Sequence, residues 1–225
     1  MLERYLQAVR TDDPGAEEPA ATRERLKNNF PPGATRRMTQ LGLLVGAALD
    51  ALAPTADDTL VYATGFGESR ALEAYLASFP TPSPTLFQTS IHPSGAQQVL
   101  IGRQRPLREF FPLAGGPQLT GQALLTALLS PTPRVLLCGG EERATWLTAH
   151  GVASDRTFAF ALALTRDSGP ATLGKITLAP SDSSATPPPA TSLSLPLAAF
   201  FDLLHTRRPF AGPAANGQHL TLTWT

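Results

Sequence analysis

A single cysteine, Cys138, is present among 225 residues. That count excludes a disulfide framework and a cysteine-rich zinc site. Charge is scarce as well: Lys+Arg and Asp+Glu number 18 each, which gives a charged fraction of 16% and a formal net charge of zero. A nucleic-acid binder carries a basic excess or stripe to meet phosphate, so nucleic acid is excluded as a partner. Few charges and no net charge leave little colloidal repulsion, which suits a surface covered by another subunit. No apolar run reaches the roughly 18 residues of a membrane span. Glu3, Arg4 and Arg10 occupy the stretch where a signal peptide would be apolar. A cytoplasmic chain without a membrane span is the expectation. The hydrophobic set makes up 42% of the residues, enough for one domain with a core.

Proline and glycine, by contrast, punctuate the chain throughout, with 22 and 18 residues. Residues 1–34 read as an irregular lead-in closing on Pro31-Pro32-Gly33. A helix is predicted from Thr35, as its cap, to Leu52, because Met38, Leu41, Val45, Leu49 and Leu52 recur at helical spacing and Pro54 ends it. Leu60–Thr64 is a short β-rich strand, Gly65-Phe66-Gly67 a turn and Glu68–Ala77 a helix. Pro80, Pro82 and Pro84 make an extended loop, and a short helix fits the second half of Phe87–Leu100. Leu107–Leu113 is a strand ending in Ala114-Gly115-Gly116, followed by a helix over Gln118–Leu129. Arg134–Cys138 is a buried-type strand ending in Gly139-Gly140. Strand, glycine turn and helix thus recur, the pattern of a mostly parallel α/β sheet.

Beyond residue 150 the pattern changes. Thr157–Thr165 and Ala171–Leu178 flank Asp167-Ser168-Gly169 and read as an antiparallel hairpin. Pro180–Pro189 is a Ser/Pro loop, Leu195–Leu204 a short helix and His219–Trp224 a last strand. The organisation expected is a lead-in (1–34), an α/β domain (35–180) and a loop with a terminal helix and strand (181–225).

Candidate chemistry is thin. Gly65-Phe66-Gly67 follows a strand, but Arg70 stands where a dinucleotide fingerprint needs its third glycine. His92, His150, His205 and His219 lack metal-ligand spacing, so no metal or cofactor is implied. His92, after a strand-like FQTSI and before a proline, is the histidine best placed to touch a cavity or interface. Cys138 ends an apolar strand, where a small buried side chain is the usual role, and no G-x-S-x-G elbow occurs. Residues 109–125 have the form of a nucleophile elbow: a strand, a glycine turn, then a helix whose N-terminus could polarise an anion. The turn itself, Ala114-Gly115-Gly116-Pro117-Gln118, offers no Cys, Ser or Thr.

Taken in order, several segments resemble the β-ketoacyl synthase-like N-terminal family, which includes chain-length-factor-like subunits of aryl polyene biosynthesis. Arg36-Arg37-Met38-Thr39 is similar to that family's arginine-rich start of its first long helix. Residues 61–68 (VYATGFGE) resemble its second strand and turn. Residues 83–92 (SPTLFQTSIH) resemble its "SPT-F-S-H" segment, although Pro93 replaces the asparagine that usually follows. Residues 135–142 (VLLCGGEE) resemble the strand and acidic turn after the elbow helix.

The resemblance implies an α/β fold equivalent to the N-terminal half of a thiolase-like fold, a mixed sheet flanked by helices. It implies that a ketosynthase's elbow cysteine and the two histidines of its C-terminal half are missing, so the chain is expected to be non-catalytic. The partner implied is a full-length β-ketoacyl synthase in a heterodimer, with an acyl carrier protein reached through the complex. Phe87, Ile91, His92, Phe110, Phe111 and Leu113 are the expected interface or acyl-tunnel residues, with Ala114, Gly115, Gly116, Pro117 and Gln118 as the degenerate elbow. Half of such a fold would expose an apolar helical face; the segment from Leu193 to Trp224 is expected to cover part of it and a partner the rest. Two other readings stay open: a small acyltransferase or hydrolase using Cys138, and a purely structural subunit of a biosynthetic complex.

Overall fold

The computed structural model describes residues 1–91, 93–180, 194–215 and 217–225. Eight strands among them form one sheet: β1 (Leu2–Asp12), β2 (Thr59–Thr64), β3 (Glu109–Ala114), β4 (Arg134–Glu141), β5 (Phe158–Thr165), β6 (Gly174–Pro180), β7 (Phe210–Ala215) and β8 (Gln218–Trp224). Their spatial order is β3-β2-β4-β5-β1-β6-β8-β7. β3, β2 and β4 run parallel, and every other neighbouring pair is antiparallel. The sheet is therefore mixed, parallel only where strands alternate with helices.

The helices are α1 (Pro19–Leu26), α2 (Gln40–Asp50), α3 (Ser69–Ala77), α4 (Pro84–Ser90), α5 (Ser94–Gly102), α6 (Leu119–Leu129), α7 (Trp146–Ala149) and α8 (Leu197–His205). Alternation along β2 sorts the two cores, because successive side chains point to opposite faces. Leu60 and Tyr62 join Leu136 and Cys138 under α2 and α5. Val61 and Ala63 join Val135, Leu137, Phe158 and Phe160 under α6 and α8. All six residues of β2 are buried, as befits a strand covered on both faces.

Four expectations require correction. Residues 1–34 are not an irregular lead-in: they hold β1, α1 and a short 3-10 turn at Lys27–Asn29. The first long helix starts at Gln40, since Thr39 rather than Thr35 caps it by accepting from Gly42 N at 2.9 Å, while Ala34–Arg37 form a 3-10 turn. β4 does not stop at Cys138: Gly139, Gly140 and Glu141 stay in the ladder opposite Phe160, Ala159 and Phe158. Nor do β5 and β6 form a hairpin. β1 lies between them, with Tyr5 opposite both Thr165 and Lys175.

Arg4 explains how a charged segment occupies that interior position. Its side chain is buried, and it donates to the carbonyl oxygens of Ser130 (2.6 Å), Thr132 (2.9 Å) and Pro133 (3.2 Å). The guanidinium thereby ties down the loop between α6 and β4, sharing Ser130 O with the Arg166 side chain and Pro133 O with the Arg166 amide, each at 3.3 Å.

The terminal segment covers α6. α8 adds Phe200, Phe201 and Leu204 to the same core, where Phe158 of the sheet meets Phe201 in a tilted pair at 4.7 Å and Phe160 meets Phe200 edge to face at 5.6 Å. β7, which the sequence reading does not contain, reaches α6 directly. A Cβ added at Gly121 would lie 2.2 Å from Ala215 Cβ and 2.9 Å from Ala214 O, so only glycine permits that approach. Gly121→Ala should push β7 off α6 and destabilise the chain by about 1–3 kcal/mol. Chemical denaturation with hydrogen exchange across 210–224 checks this; an unchanged midpoint and unchanged protection would show that the contact is not tight.

Candidate functional site

The three parallel strands end side by side. β2 passes into Gly65-Phe66-Gly67, β3 into the Ala114–Gln118 turn, and β4 into Glu141-Glu142. Ligands in open α/β sheets bind in the crevice beyond the carboxyl ends of strands where the strand order diverges. Here β3 and β4 flank β2 on opposite sides, which creates such a point.

Residues 109–129 form a strand, a glycine turn and a helix: β3, the turn and α6. Gly115 and Gly116 have φ of 81° and 76°, a left-handed pair that reverses the chain between strand and helix. Gly115 N donates to Thr64 O at 3.1 Å and Leu119 N to Gly116 O at 3.3 Å, which seats the turn against β2. Gln118 occupies the N-cap position without a side-chain capping bond. Ala114, Gly116 and Pro117 are exposed and Gly115 and Gln118 half-buried, and none of the five carries a nucleophilic oxygen or sulfur.

The one cysteine of the chain, Cys138, is not in this turn. It lies in the ladder between Tyr62 of β2 and Ala161 of β5, fully buried. Burial pushes its thiol well above the ordinary range, which disfavours the thiolate. Its burial gives no support to the reading of the chain as an acyltransferase or hydrolase acting through Cys138.

Two buried carboxyls organise the crevice. Glu141 accepts from Gly65 N at 2.6 Å on Oε1, and from Thr64 Oγ1 at 3.2 Å and Phe66 N at 3.3 Å on Oε2. Burial outweighs these bonds and raises its pKa to about 7. Glu142 accepts from Gln40 N at 3.1 Å and Leu41 N at 3.4 Å on Oε1, and from Arg70 N at 3.2 Å on Oε2. It thus serves the N-terminal amides of α2 and α3 together. Burial raises its pKa too, against the hydrogen bonds from Arg70 N and Leu41 N.

A cavity of about 460 Å³ opens between the strand ends and α8. Phe66, Pro117, Leu119, Pro196 and Leu197 give it apolar walls, and Thr120 and Glu141 bring polar groups to it. Thr120 Oγ1 is buried and has no hydrogen-bond partner among the described residues. A wider depression of about 600 Å³ beside Arg70 and Arg143 is more polar, and none of the buried, unpartnered side-chain atoms found among the described residues lines it.

The expected interface residues do not form one cluster. Phe111 and Leu113 lie on the α6 face of β3, in register with Val61 and Ala63. Phe110 lies on the opposite face, opposite Leu60, and packs on the α2–α5 core. Phe87 belongs to α4, where its ring meets Tyr75 of α3 at 5.3 Å, and Ile91 follows that helix. Phe87, Ile91 and Phe111 are exposed at 49%, 46% and 39%. His92 falls outside the described residues. Of the other histidines, His150 ends α7 beside Trp146, His205 ends α8 and stacks on Phe201, and His219 sits in β8, so no pair shares a site. Sequence reasoning missed Thr120 and the role of Glu141, although two adjacent acids ending an apolar strand were a visible signal.

No family model matches the sequence, and no curated protein matches it. Solved structures do. One chain of the ketosynthase ApeO in complex with its chain length factor ApeC, from Xenorhabdus doucetiae, matches with a TM-score of 0.67 at 20% identity; the match covers 99% of this chain and 100% of that one. The ishigamide ketosynthase/chain length factor matches with a TM-score of 0.57 at 13% identity, covering 82% of this chain and 69% of that one. The chain therefore has a thiolase-like ketosynthase fold, a mixed α/β sheet flanked by helices.

Because Glu141 is raised from an ordinary value near 4.5 to about 7, the fold binds its proton more tightly than the unfolded chain does. Its stabilising contribution is complete below the unfolded pKa and is lost as pH rises through about 7, a change on the order of 3 kcal/mol. Thermal melts from pH 5 to pH 8 should show falling stability, and Glu141→Gln should flatten much of the slope. A wild-type profile that rises over this window would contradict the assignment.

Proposed function

We propose that this chain is the chain-length-factor-like, non-catalytic partner of a β-ketoacyl synthase and shapes the tunnel that receives the growing acyl chain. The observation that carries this reading is the free edge of the sheet. β3 pairs with β2 on one side only, and its other side bears no strand among the described residues. An unpaired edge with Phe111 exposed is a surface that another subunit can cover, although Pro112 donates no N–H and so limits direct strand pairing there. The same strand leads into the elbow, so a subunit docked along β3 would bring its own elbow beside this one.

The division of labour follows from the chemistry on each side. Acyl transfer in a ketosynthase needs a thiolate to carry the chain and donors to stabilise the oxyanion. The elbow here presents no nucleophile and Cys138 is buried in the sheet. The partner supplies the thiol and the histidines, and this chain supplies walls. Phe111 and Leu113, on the α6 face next to the elbow, limit chain length by bulk. An acyl carrier protein delivers substrate to the complex rather than to this chain alone. Aryl polyene or related fatty-acid-like biosynthesis is the setting that the resemblance suggests.

Co-expression with a full-length ketosynthase and its carrier protein tests the tunnel assignment. Phe111→Ala should leave the complex intact and shift products towards longer chains by one or more extension units. Phe110→Ala, on the other face, should lower stability without that shift. An intact Phe111→Ala complex with an unchanged product distribution would remove Phe111 from the tunnel.

A further inference from the structure

Sequence and surface coincide at one face away from the elbow. The chain holds 18 Asp and Glu residues, yet none falls between Glu24 and Asp50 or between Glu73 and Glu109. These two stretches fold together: α5 packs on α2, and α4 packs on both α3 and α5. Arg36 and Arg37 stand beside them on the 3-10 turn Ala34–Arg37, both exposed. Neither guanidinium has an ion pair or hydrogen bond among the described residues. Arg25, Arg103, Arg105 and Arg156, by contrast, each find a carboxylate. A groove of about 600 Å³ runs between the 3-10 turn, α4 and α5. Arg36, Arg37, Thr85, Gln88 and Gln98 bring donors to it, and no carboxylate lines it. An anionic group there would meet two guanidiniums without a competing negative charge.

Apolar side chains crowd the same layer. Ile101 lines the groove and is 75% exposed. Leu76 of α3, Phe79 just after it, Phe87 of α4 and Ile91 at its end are exposed too. Five of the eleven exposed large hydrophobic side chains among the described residues thus lie between residues 76 and 101. Such a concentration marks a site of contact with a protein or a membrane. Two features favour a membrane. Leu76, Phe79, Phe87 and Ile91 do not line the groove but project from α3 and α4 beside it, so they form no pocket for a partner's side chain. A headgroup layer needs no matching relief: apolar tips enter the boundary with the acyl chains while arginines stay among the phosphates. The absence of carboxylates from both stretches suits a negatively charged surface.

We propose that this face docks on the surface of an anionic phospholipid bilayer, with phosphate head groups at Arg36 and Arg37 and with Ile101, Phe87 and Phe79 entering the boundary with the acyl chains. Adsorption of this kind involves no membrane-spanning segment, and no helix among the described residues is long and apolar enough to be one. The inference goes beyond the pairing with a ketosynthase and does not rest on it, because β3, the elbow and α6 contribute no group to the face. It gives Phe87 and Ile91 a membrane contact where the resemblance implied an interface or tunnel.

Sedimentation of the purified full chain with lipid vesicles tests this. The chain should sediment with vesicles of equimolar phosphatidylglycerol and phosphatidylcholine, not with phosphatidylcholine alone, and less as salt is raised. The double substitution Arg36→Gln with Arg37→Gln should lower the partition coefficient roughly tenfold or more. Ile101→Asp should do the same, whereas Leu129→Asp, at an exposed position on the α6 side of the sheet, should leave binding unchanged. Hydrogen exchange of the unmodified chain on vesicles gives a readout that needs no variant: residues 84–91 and 95–103 should be protected and residues 119–129 should not. No sedimentation with anionic vesicles, equal sedimentation with phosphatidylcholine alone, or undiminished binding without the two arginines would each overturn the proposal. So would protection of the same residues by a ketosynthase or an acidic protein but not by vesicles, which would assign the face to that occupant. The measurement on vesicles involves no partner, so its failure would leave the ketosynthase pairing untouched, and failure of that pairing would leave this result standing.

Discussion

Two adjacent carboxyls at the end of β4 hold the functional end of the sheet together. Glu141 reaches back to the turn after β2, and Glu142 receives the first amides of α2 and α3. Helix starts buried against a sheet leave donors that must be satisfied, and here a single side chain serves two of them. Glu141 is the last residue of β4 and Glu142 the next one, so the end of β4 sets the turn at Gly65, the entry of α3 and the start of α2 at once. The elbow is seated by the same end of the sheet, through Gly115 N on Thr64 O. Burying these carboxyls raises their affinity for protons, and the arrangement is therefore tuned by pH as well as by packing.

The second constraint is the covering of α6. A helix with Leu119, Ala123, Leu124, Ala127 and Leu128 all buried needs apolar surface on both sides. The central strands of the sheet provide part of it, and α8 with the edge strand β7 provides more. The apolar helical face expected to need a partner is thus covered in large part by the chain's own terminal segment. What stays open is different: the free edge of β3, the exposed rings of Phe79 and Phe87 around α3 and α4, and the mouth of the cavity beyond the parallel strands. These surfaces lie at or near the elbow in the case of β3 and the cavity, which is why the pairing reading centres there.

Much of the parallel part of the fold was legible in the sequence. β2, the elbow and α6 each combine an apolar run with glycine or proline punctuation, and those local signals agree with the tertiary structure. β1 was not legible. Its Glu3, Arg4 and Arg10 read as a solvated lead-in, and only the carbonyls of Ser130, Thr132 and Pro133 reveal why Arg4 is inside. The expected hairpin between β5 and β6 failed for a related reason: turn residues report local reversal, whereas the pairing partner of both strands comes from the other end of the chain. β7 hides behind Gly212 and Pro213, residues that weaken a strand signal. At the site, the lack of a nucleophile could be read directly. The work of Glu141, the unpaired hydroxyl of Thr120 and the separation of Phe110 from Phe111 across the sheet all required the register to be known.

The central claim is that this chain shapes a condensation it does not perform. Reconstitution with acyl and malonyl carrier-protein thioesters, with β-ketoacyl product measured by mass spectrometry, addresses it directly. The account predicts no product from the purified chain by itself and product once a full-length ketosynthase is added. Turnover by the isolated chain, at a rate comparable with that of the pair, would contradict it.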